Sequence, residues 1–327
     1  MLLLGHEDIA GLLSPAQVIA SVRAALVEQS KAQVQLPPRT TIESTSGYGW
    51  LRLMPAILNG SQVMGYKAMH STPNVGVGYY VALYDLPTGE LLAEMDADWI
   101  TAQRTAATAA LGVDILARKD IHCTGILGSG EQARALLTAA VQVRKLSRVK
   151  VFSPTAAHRS HFADQMSKQL NLDIVAVAQP EEAVVGSDLV LSVFRANSKP
   201  LVSADWISPG THLSASSAVR PTTRELEDEV WRKCSVIAVD DREHALGSGD
   251  GRSGLASKSL DPEKIHELWE LIDHQKVGRK SEQDITLFKS VGTALQDLAL
   301  AKAIYDVAKQ RGLGMDVGRF LRMRPHA

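Results

Sequence analysis

A glycine-rich turn near the middle of the chain constrains the fold more than any other stretch. An apolar run, Cys123–Leu127, is followed by Gly128, and a helical pattern begins at about Glu131. Gly128 can make a tight turn, Gly130 lets an anion approach the backbone, and Ala133 allows close packing of helix on strand. The helix N-terminus adds N–H groups and a partial positive charge. This context predicts a dinucleotide site, with an ordinary βα turn as the alternative. The predicted contact residues are Gly128, Ser129, Gly130, Glu131 and Gln132.

The two sides of this turn differ in pattern. From His122 onward, short apolar runs alternate with helical patterns, which is typical of a doubly wound parallel sheet. Residues 38–95 predict consecutive, mostly antiparallel strands, one of them stopped by Pro55. The predicted fold class is therefore α/β, a Rossmann doubly wound parallel sheet plus a mainly antiparallel α+β domain.

The predicted domain bounds follow from a polar break at Arg118–Asp120. Residues 1–118 form the first domain, completed by a C-terminal helix at about 300–327, and residues 119–299 form the dinucleotide domain. Helices are predicted over 7–30, 98–117, 261–279 and 293–312, and the stretch 245–259, rich in Gly and Ser, predicts a loop.

Charge and cysteine content exclude several classes of protein. Lys and Arg number 35 against 36 Asp and Glu, so the net charge is −1. The chain therefore lacks the excess of positive charge that is typical of proteins that bind nucleic acid or an anionic membrane. The N-terminus lacks the features of a signal peptide, and no apolar run reaches the length of a membrane span. Cys123 and Cys234 form no metal-spaced pattern. We expect no metal and a reduced, cytoplasmic location.

Three cations stand on apolar faces of the first domain. Arg52 alternates with Trp50 and Met54 along a strand, Lys67 lies on an apolar strand face, and Arg104 falls on the apolar stripe of a helix. Cations in such places are unfavourable unless they are paired. They either form ion pairs within the protein or bind an anionic ligand, and together they favour a clamp for a substrate carboxylate.

The end of the second predicted strand of the dinucleotide domain bears on the cofactor. An NAD site usually has an acidic residue there for the ribose hydroxyls, but this chain has Ser153, followed by Thr155 and Arg159. A hydroxyl and a guanidinium suit a 2′-phosphate, so NADP(H) is preferred and NAD(H) remains possible. Alternatively, Arg159 is merely a solvated helix residue.

Several motifs are spread over nearly the whole chain. They are Leu53-Met54-Pro55-Ala56, Gly65-Tyr66-Lys67, Tyr84–Glu90, Thr101–Ala107, Gly128–Ala133, Pro221 with Arg224-Glu225-Leu226, and Phe288-Lys289-Ser290-Val291-Gly292. In this order and spacing they resemble the ornithine cyclodeaminase/mu-crystallin family. The resemblance implies a homodimer that acts on small imino or amino acids. It implies that the first domain, residues 1–118 with the C-terminal helix, carries substrate binding and dimerisation, and that the Rossmann domain binds NAD(P). It also implies that Arg39, Lys67 and Arg104 hold the substrate carboxylate and that Ser290, Val291 and Gly292 lie near the nicotinamide. We also predict that Ser214 contacts the cofactor.

Two departures from the cyclodeaminases of this family favour another reaction. Those enzymes look to have acidic residues where this chain has Arg52 and Val219, and cyclising a diamine needs a carboxylate to take its proton. We therefore predict an NAD(P)H-dependent reductase of an imine next to a carboxylate, reversibly an amino-acid dehydrogenase, with Lys67 and Arg52 as catalytic residues. The alternatives are an ornithine-type cyclodeaminase and a non-enzymatic NADPH-binding protein, and the substrate stays open.

Overall fold

The computed structural model describes residues 1–322 and Arg324. In chain order the strands are β1 (Leu2–Leu4), β2 (Val34–Gln35), β3 (Thr40–Glu43), β4 (Trp50–Leu58), β5 (Val63–Thr72), β6 (Gly76–Asp85), β7 (Leu91–Asp96), β8 (Cys123–Leu127), β9 (Arg148–Phe152), β10 (Asp173–Ala176), β11 (Leu189–Ser192), β12 (His212–Ala215), β13 (Val236–Val239), β14 (Ile265–Glu267), β15 (Thr286–Lys289) and β16 (Met315–Asp316). The helices are α1 (His6–Ile9), α2 (Pro15–Ser30), α3 (Asp98–Leu116), α4 (Glu131–Val143), α5 (Ala156–Leu170), α6 (Pro180–Val184), α7 (Asp228–Lys233), α8 (Arg242–Gly247), α9 (Gly249–Ala256), α10 (Leu268–Ile272) and α11 (Ala294–Arg311). Among the described residues, no helix has both the length and the apolar character needed to cross a bilayer.

The chain divides into two compact units. The first contains Met1–Arg104 and the chain from Thr293 onward, and the second contains Thr105–Gly292. The first division falls inside α3 rather than at the polar break after residue 118. The beginning of α3 bonds to α11 through Arg104, while a Cβ placed on Gly112 would lie 2.9 Å from the Phe288 ring of the second unit. The first part of α3 therefore belongs to the first unit, and the part from Thr105 onward belongs to the second.

The first unit is built on a mainly antiparallel sheet. Its strand order is β16-β1-β7-β6-β5-β4-β2, with β3 also paired to β4. The expectation that Pro55 ends a strand is wrong, because β4 continues to Leu58. On one side β4 pairs with β3 up to Leu53 and with β2 from Ile57, so Pro55 lies in the interval between them. Its missing N–H removes no ladder hydrogen bond on that side.

Helix α11 is the main cover of this sheet. It packs against α2 and against strands β4, β5 and β6. Every residue in its first eight positions, 294–301, is buried. A charged residue in this stretch must therefore find partners inside the protein.

The second unit is a fully parallel sheet, as the sequence predicts. Its strand order is β10-β9-β8-β11-β12-β15-β13-β14. The order reverses between β8 and β11, since β9 and β10 follow on one side of β8 and β11 and β12 on the other. In doubly wound sheets a dinucleotide binds at the carboxyl ends of the strands beside this reversal.

Two predicted elements of the second unit are wrong. The stretch 245–259 contains the end of α8 and all of α9 instead of a loop. Its glycines serve close packing, since a Cβ on Gly249 would lie 2.1 Å from the Thr223 carbonyl oxygen and one on Gly254 would lie 3.0 Å from the Trp231 ring. The predicted helix over 261–279 is instead a short turn, edge strand β14 and α10. Strand β15, which the element predictions lacked, lies between β12 and β13.

Candidate functional site

A buried ionic cluster in the first unit joins three elements. Lys67 comes from the middle of β5, Arg104 from α3 and Asp297 from the first turn of α11. One oxygen of Asp297, Oδ1, accepts from Lys67 Nζ at 2.8 Å and from Arg104 Nε at 2.9 Å. Arg104 also donates from Nη1 to Gln296 Oε1 at 3.0 Å. A single carboxylate oxygen therefore serves two cations.

Strand alternation places Lys67 in this cluster. Lys67 lies opposite Met54 of β4, which is buried, and opposite Val81 of β6, which is also buried. Side chains directly opposite one another on adjacent strands point to the same face. Lys67 therefore points to the side of the sheet that α11 covers, and no part of it is exposed.

The charges around Lys67 determine its titration. Burial disfavours its ammonium form, Asp297 opposes this effect, and Arg104 and Arg39 add to it, so the pKa of Lys67 falls to about 7. A lysine with this pKa is half protonated at neutral pH and can both donate and accept a proton.

The other two predicted cations come from the segment before β3 and from β4. Arg39 precedes β3, is half-buried and acts electrostatically on Lys67. Arg52 faces the same way as Met54, donates from Nε to Thr41 Oγ1 at 2.8 Å and stacks over the Trp50 ring at 5.4 Å. The structure thus links Lys67 and Arg104 through their shared partner Asp297, and places Arg39 near enough to act on Lys67. Arg52 has contacts of its own.

The predicted dinucleotide turn has the geometry that a pyrophosphate needs. Gly128 has φ +122°, and a Cβ there would lie 2.1 Å from the Val193 carbonyl oxygen. Around Gly130, which directly precedes α4, a Cβ would meet nothing within 4 Å. Ala133 is fully buried where the helix packs. Gly128 therefore serves the fold, while the space at Gly130 fits an approaching phosphate group. The other predicted contacts, Ser129, Glu131 and Gln132, lie in the turn and the first turn of α4.

The end of β9 carries no acidic side chain at Ser153. Arg159, from the first turns of α5, folds back and donates from Nη1 to the Ser153 carbonyl oxygen at 2.9 Å and to that of Pro154 at 3.3 Å. Thr155 is exposed just before α5. A guanidinium held over the strand end beside a hydroxyl is suited to an anionic group.

The segment after β15 is held by a carboxylate that sequence reasoning missed. Asp240, directly after β13, accepts from Ser290 Oγ and from the N–H groups of Val291 and Gly292, each at 2.8 Å. The N–H groups of the predicted nicotinamide segment thus bond within the protein. Ser214, another predicted contact, is fully buried inside β12.

Sequence reasoning also missed Asp297. Its signal is visible afterwards, because it is the one charged residue among the apolar and small residues at the start of α11, where a carboxylate needs buried partners. The family motifs did include Glu225 and Lys289, but without assigning them a role.

The comparison with known proteins decides the family. The sequence profile of the ornithine cyclodeaminase/mu-crystallin family matches residues 1–312. The chain belongs to this family. The family resemblance predicted from its motifs is thereby confirmed.

Three relatives illustrate what the chain is similar to. The structure of Thermococcus litoralis Delta(1)-pyrroline-2-carboxylate reductase, in complex with NADH and L-proline, superposes with a TM-score of 0.92 at 35% identity, covering 97% of this chain and 100% of that one. An archaeal alanine dehydrogenase dimer with bound NAD superposes with a TM-score of 0.91 at 30% identity, covering 98% and 99%. Ketimine reductase mu-crystallin of Mus musculus is 33% identical over 90% of this chain and 93% of its own.

Proposed function

We propose that this protein reduces a carbon–nitrogen double bond next to a carboxylate with NADPH or NADH, and acts in reverse as an amino-acid dehydrogenase. The observation that carries the proposal is the buried cluster in which Lys67 and Arg104 share one oxygen of Asp297 and Lys67 titrates near neutrality. The relatives support it, because one was solved with NADH and L-proline and another is a ketimine reductase.

We assign the substrate carboxylate to Arg39 and Arg104, with Lys67 beside them. A guanidinium binds a carboxylate through two parallel hydrogen bonds, which fixes its orientation as well as its position. Arg52 lies on the same sheet face and adds positive charge there. Fixing the substrate in this way can lower the barrier by several kcal/mol, or about 7–11 kcal/mol in the most favourable cases.

The chemical step needs one hydride and one proton. When bound, the nicotinamide supplies the hydride to the imine carbon. The Lys67 ammonium donates a proton to the imine nitrogen, the double bond becomes a single bond, and the product is an amine; in the reverse direction neutral Lys67 takes the proton back. Because Lys67 is fully buried, the groups that cover it must move before it meets a substrate.

We propose NADPH as the preferred cofactor. Two observations support this. The residue after β9 is Ser153 rather than an acidic residue, and the Arg159 guanidinium bonds to the backbone at that strand end. Ser153→Asp should repel the 2′-phosphate and raise the ratio of NADH to NADPH efficiency, measured as kcat/KM. An unchanged ratio would place the discrimination elsewhere.

We also propose a homodimer formed through the first unit. The sheet face opposite Lys67 exposes large apolar side chains, among them Ile42 (60%), Leu51 (41%) and Tyr80 (37%). Exposed apolar patches of this kind mark interaction surfaces. The archaeal alanine dehydrogenase relative is a dimer, which supports the same assignment. A cytoplasmic location remains a prediction from the two cysteines.

A substrate panel tests the proposed reaction. The assay follows absorbance of NADPH and NADH with cyclic pyrroline and piperideine carboxylates, and with pyruvate or oxaloacetate plus ammonia or methylamine. We expect oxidation of the nucleotide with at least one imino acid and no oxidation with the keto acid alone. Tight nucleotide binding without oxidation by any of them would contradict the proposal, as would conversion of ornithine to proline with no net nucleotide change.

A further inference from the structure

Glu225 joins the carboxyl ends of three neighbouring strands in the second unit. Its Oε1 accepts from Ser192 Oγ, at the end of β11, at 2.6 Å. Its Oε2 accepts from the N–H of Ser217, just after β12, at 3.0 Å and from Lys289 Nζ, at the end of β15, at 2.7 Å. The Ala218 N–H also donates to Oε2, at 3.3 Å. One carboxylate therefore receives four donors from three strand ends.

Lys289 completes a buried network with a second carboxylate. Its Nζ lies 3.0 Å from Asp250 Oδ2, and the other oxygen of Asp250 accepts from the N–H of Glu225 at 2.8 Å. Lys289, Glu225 and Asp250 are all fully buried. The network therefore fixes the backbone of Glu225 as well as its side chain.

These strand ends belong to the second half of a dinucleotide site. In a doubly wound sheet the pyrophosphate lies at the first βα turn, here Gly128, and the adenosine ribose at the end of the next strand, here β9. The other nucleotide then extends across the strands on the opposite side of β8, which are β11, β12 and β15. The segments fixed by Glu225 and Lys289 are those that the nicotinamide half would meet.

Stability alone does not account for this arrangement. Buried ion pairs often contribute no more to stability than apolar side chains of similar size. Apolar replacements would fill the same volume, but they could not accept the hydrogen bonds of Ser192, Ser217 and Ala218. What the pair adds is a fixed geometry of three strand ends at once.

We propose that the Glu225–Lys289 pair is a positioning device for the nicotinamide half of the cofactor, holding the end of β11, the segment after β12 and the end of β15 in the conformation that receives it. This rests on the nucleotide binding in the proposed function. Neither residue touches the reacting atoms. The pair organises the site before binding, and without it the ordering would have to occur when the cofactor binds.

The test compares whole cofactors with fragments that lack nicotinamide. Dissociation constants are measured for NADPH and 2′-phospho-ADP-ribose, and for NADH and ADP-ribose, on wild type, Glu225→Gln and the double variant Glu225→Gln with Lys289→Met. For both variants we expect the Kd of the whole cofactor to rise about tenfold while that of the fragment stays within twofold. Equal weakening of cofactor and fragment, or no weakening of either, would overturn the proposal.

The double variant separates positioning from folding. Glu225→Gln leaves Lys289 and Asp250 with a changed charge balance and should lower Tm, whereas the double variant removes both charges and should recover part of that loss. Its cofactor affinity should stay low, because the glutamine has one accepting oxygen in place of two for the remaining donors, Ser192, Ser217 and Ala218. Recovery of Tm and of NADPH affinity together would show a purely structural role.

A control comes from another ion pair of the same unit, in which the arginine is buried and the aspartate is half-buried. Arg144 Nη1 lies 2.9 Å from Asp114 Oδ1, and Arg144 follows α4, at the amino end of the sheet. Arg144→Met should lower Tm without changing the ratio of cofactor to fragment affinity.

A wild type that binds both nucleotides but reduces no imine would refute the proposed function and leave this test valid.

Discussion

Two lysines of the described chain are fully buried, and their surroundings give them opposite properties. Lys67 shares the single carboxylate Asp297 with Arg104, while Lys289 lies between two carboxylates, Glu225 and Asp250. Burial disfavours the charged form of both. Around Lys67 the arginines reinforce that effect and its pKa falls to about 7, whereas Glu225 and Asp250 together raise the pKa of Lys289 above its usual range.

The difference shows how the number of nearby carboxylates and cations determines whether a buried lysine is suited to proton transfer or to a structural ion pair. A lysine that is always charged can hold strand ends together, but it gives up its proton reluctantly. A lysine that titrates near neutrality is available for proton transfer, but it forms a weaker ion pair. Both lysines lie in family motifs, so the motifs alone do not distinguish the two roles.

A third buried base extends the series. His212 stands at the start of β12, and in the part of the chain described no carboxylate is among the groups that shift its titration. Burial and then the nearby Arg279 and Arg144 lower its pKa to about 3. Lys289, with two carboxylates, has a raised pKa, and Lys67, with one, has a lowered pKa. His212, with none, also has a lowered pKa.

The largest expected effect is on catalysis. Lys67→Met removes the proposed proton donor, so kcat for imine reduction should fall by about 10²–10⁴-fold while nucleotide binding is unchanged. Lys302→Met is the matched control, since Lys302 lies on α11 and pairs with Asp306 on the surface. Turnover of the Lys67 variant within threefold of wild type would remove Lys67 from the mechanism.

The next largest effect is on stability, and it is expected for Lys289 rather than for Lys67. Lys289→Met leaves Glu225 buried without a cation and Asp250 with only Arg224, at 3.3 Å, so the free energy of unfolding should fall by about 3–5 kcal/mol. Lys67→Met should change it less, because Asp297 keeps Arg104 at 2.9 Å. Urea denaturation of both variants at pH 7.5 measures the difference. Equal losses would mean that the two environments are not distinct.

A smaller effect concerns His212 in acid. Its folded pKa lies below its unfolded value of 6.5, so the unfolded chain binds the extra proton and stability falls as pH drops below 6.5 towards 3. At pH 5 the loss should be about 2 kcal/mol, from about 1.36 kcal/mol per pH unit. His212→Asn should lack this component when unfolding is compared at pH 7 and pH 5. Identical slopes in the two proteins would show that His212 is protonated without penalty.

The smallest effect is a shift of a pH profile. Asp297→Asn removes the charge that favours the Lys67 ammonium, while Arg104 and Arg39 remain to lower its pKa further. The decline of kcat/KM with rising pH should move at least about one unit towards acid, which is about tenfold in rate at pH 7.5. A profile that does not move would place the titrating group elsewhere.

The sequence predicted the framework of the molecule better than its buried charges. Periodicity was sufficient for the parallel sheet, the antiparallel strands and the glycine turn, because these depend on local spacing. It was insufficient for α9, whose glycines reflect contacts with Thr223 and Trp231 that are distant in sequence.

The site shows the same limit. Lys67 and Arg104 were identifiable as cations on apolar faces, but their shared partner Asp297 is more than 190 residues away. The same holds for Lys289, whose partner Glu225 is 64 residues away. Pairing across such separations follows from the tertiary fold, so a single sequence predicts the need for a partner without identifying it.

The most direct test is to titrate both buried lysines in one sample. Protein labelled with ¹³C-lysine gives side-chain signals that the variants Lys67→Arg and Lys289→Arg assign, and their shifts are followed from pH 5.5 to pH 10. We predict a midpoint near 7 for Lys67 and no titration of Lys289 in this range. If Lys67 stays protonated up to pH 9, or if the two lysines titrate together, charge balance does not separate their roles and the proposed proton donor is wrong.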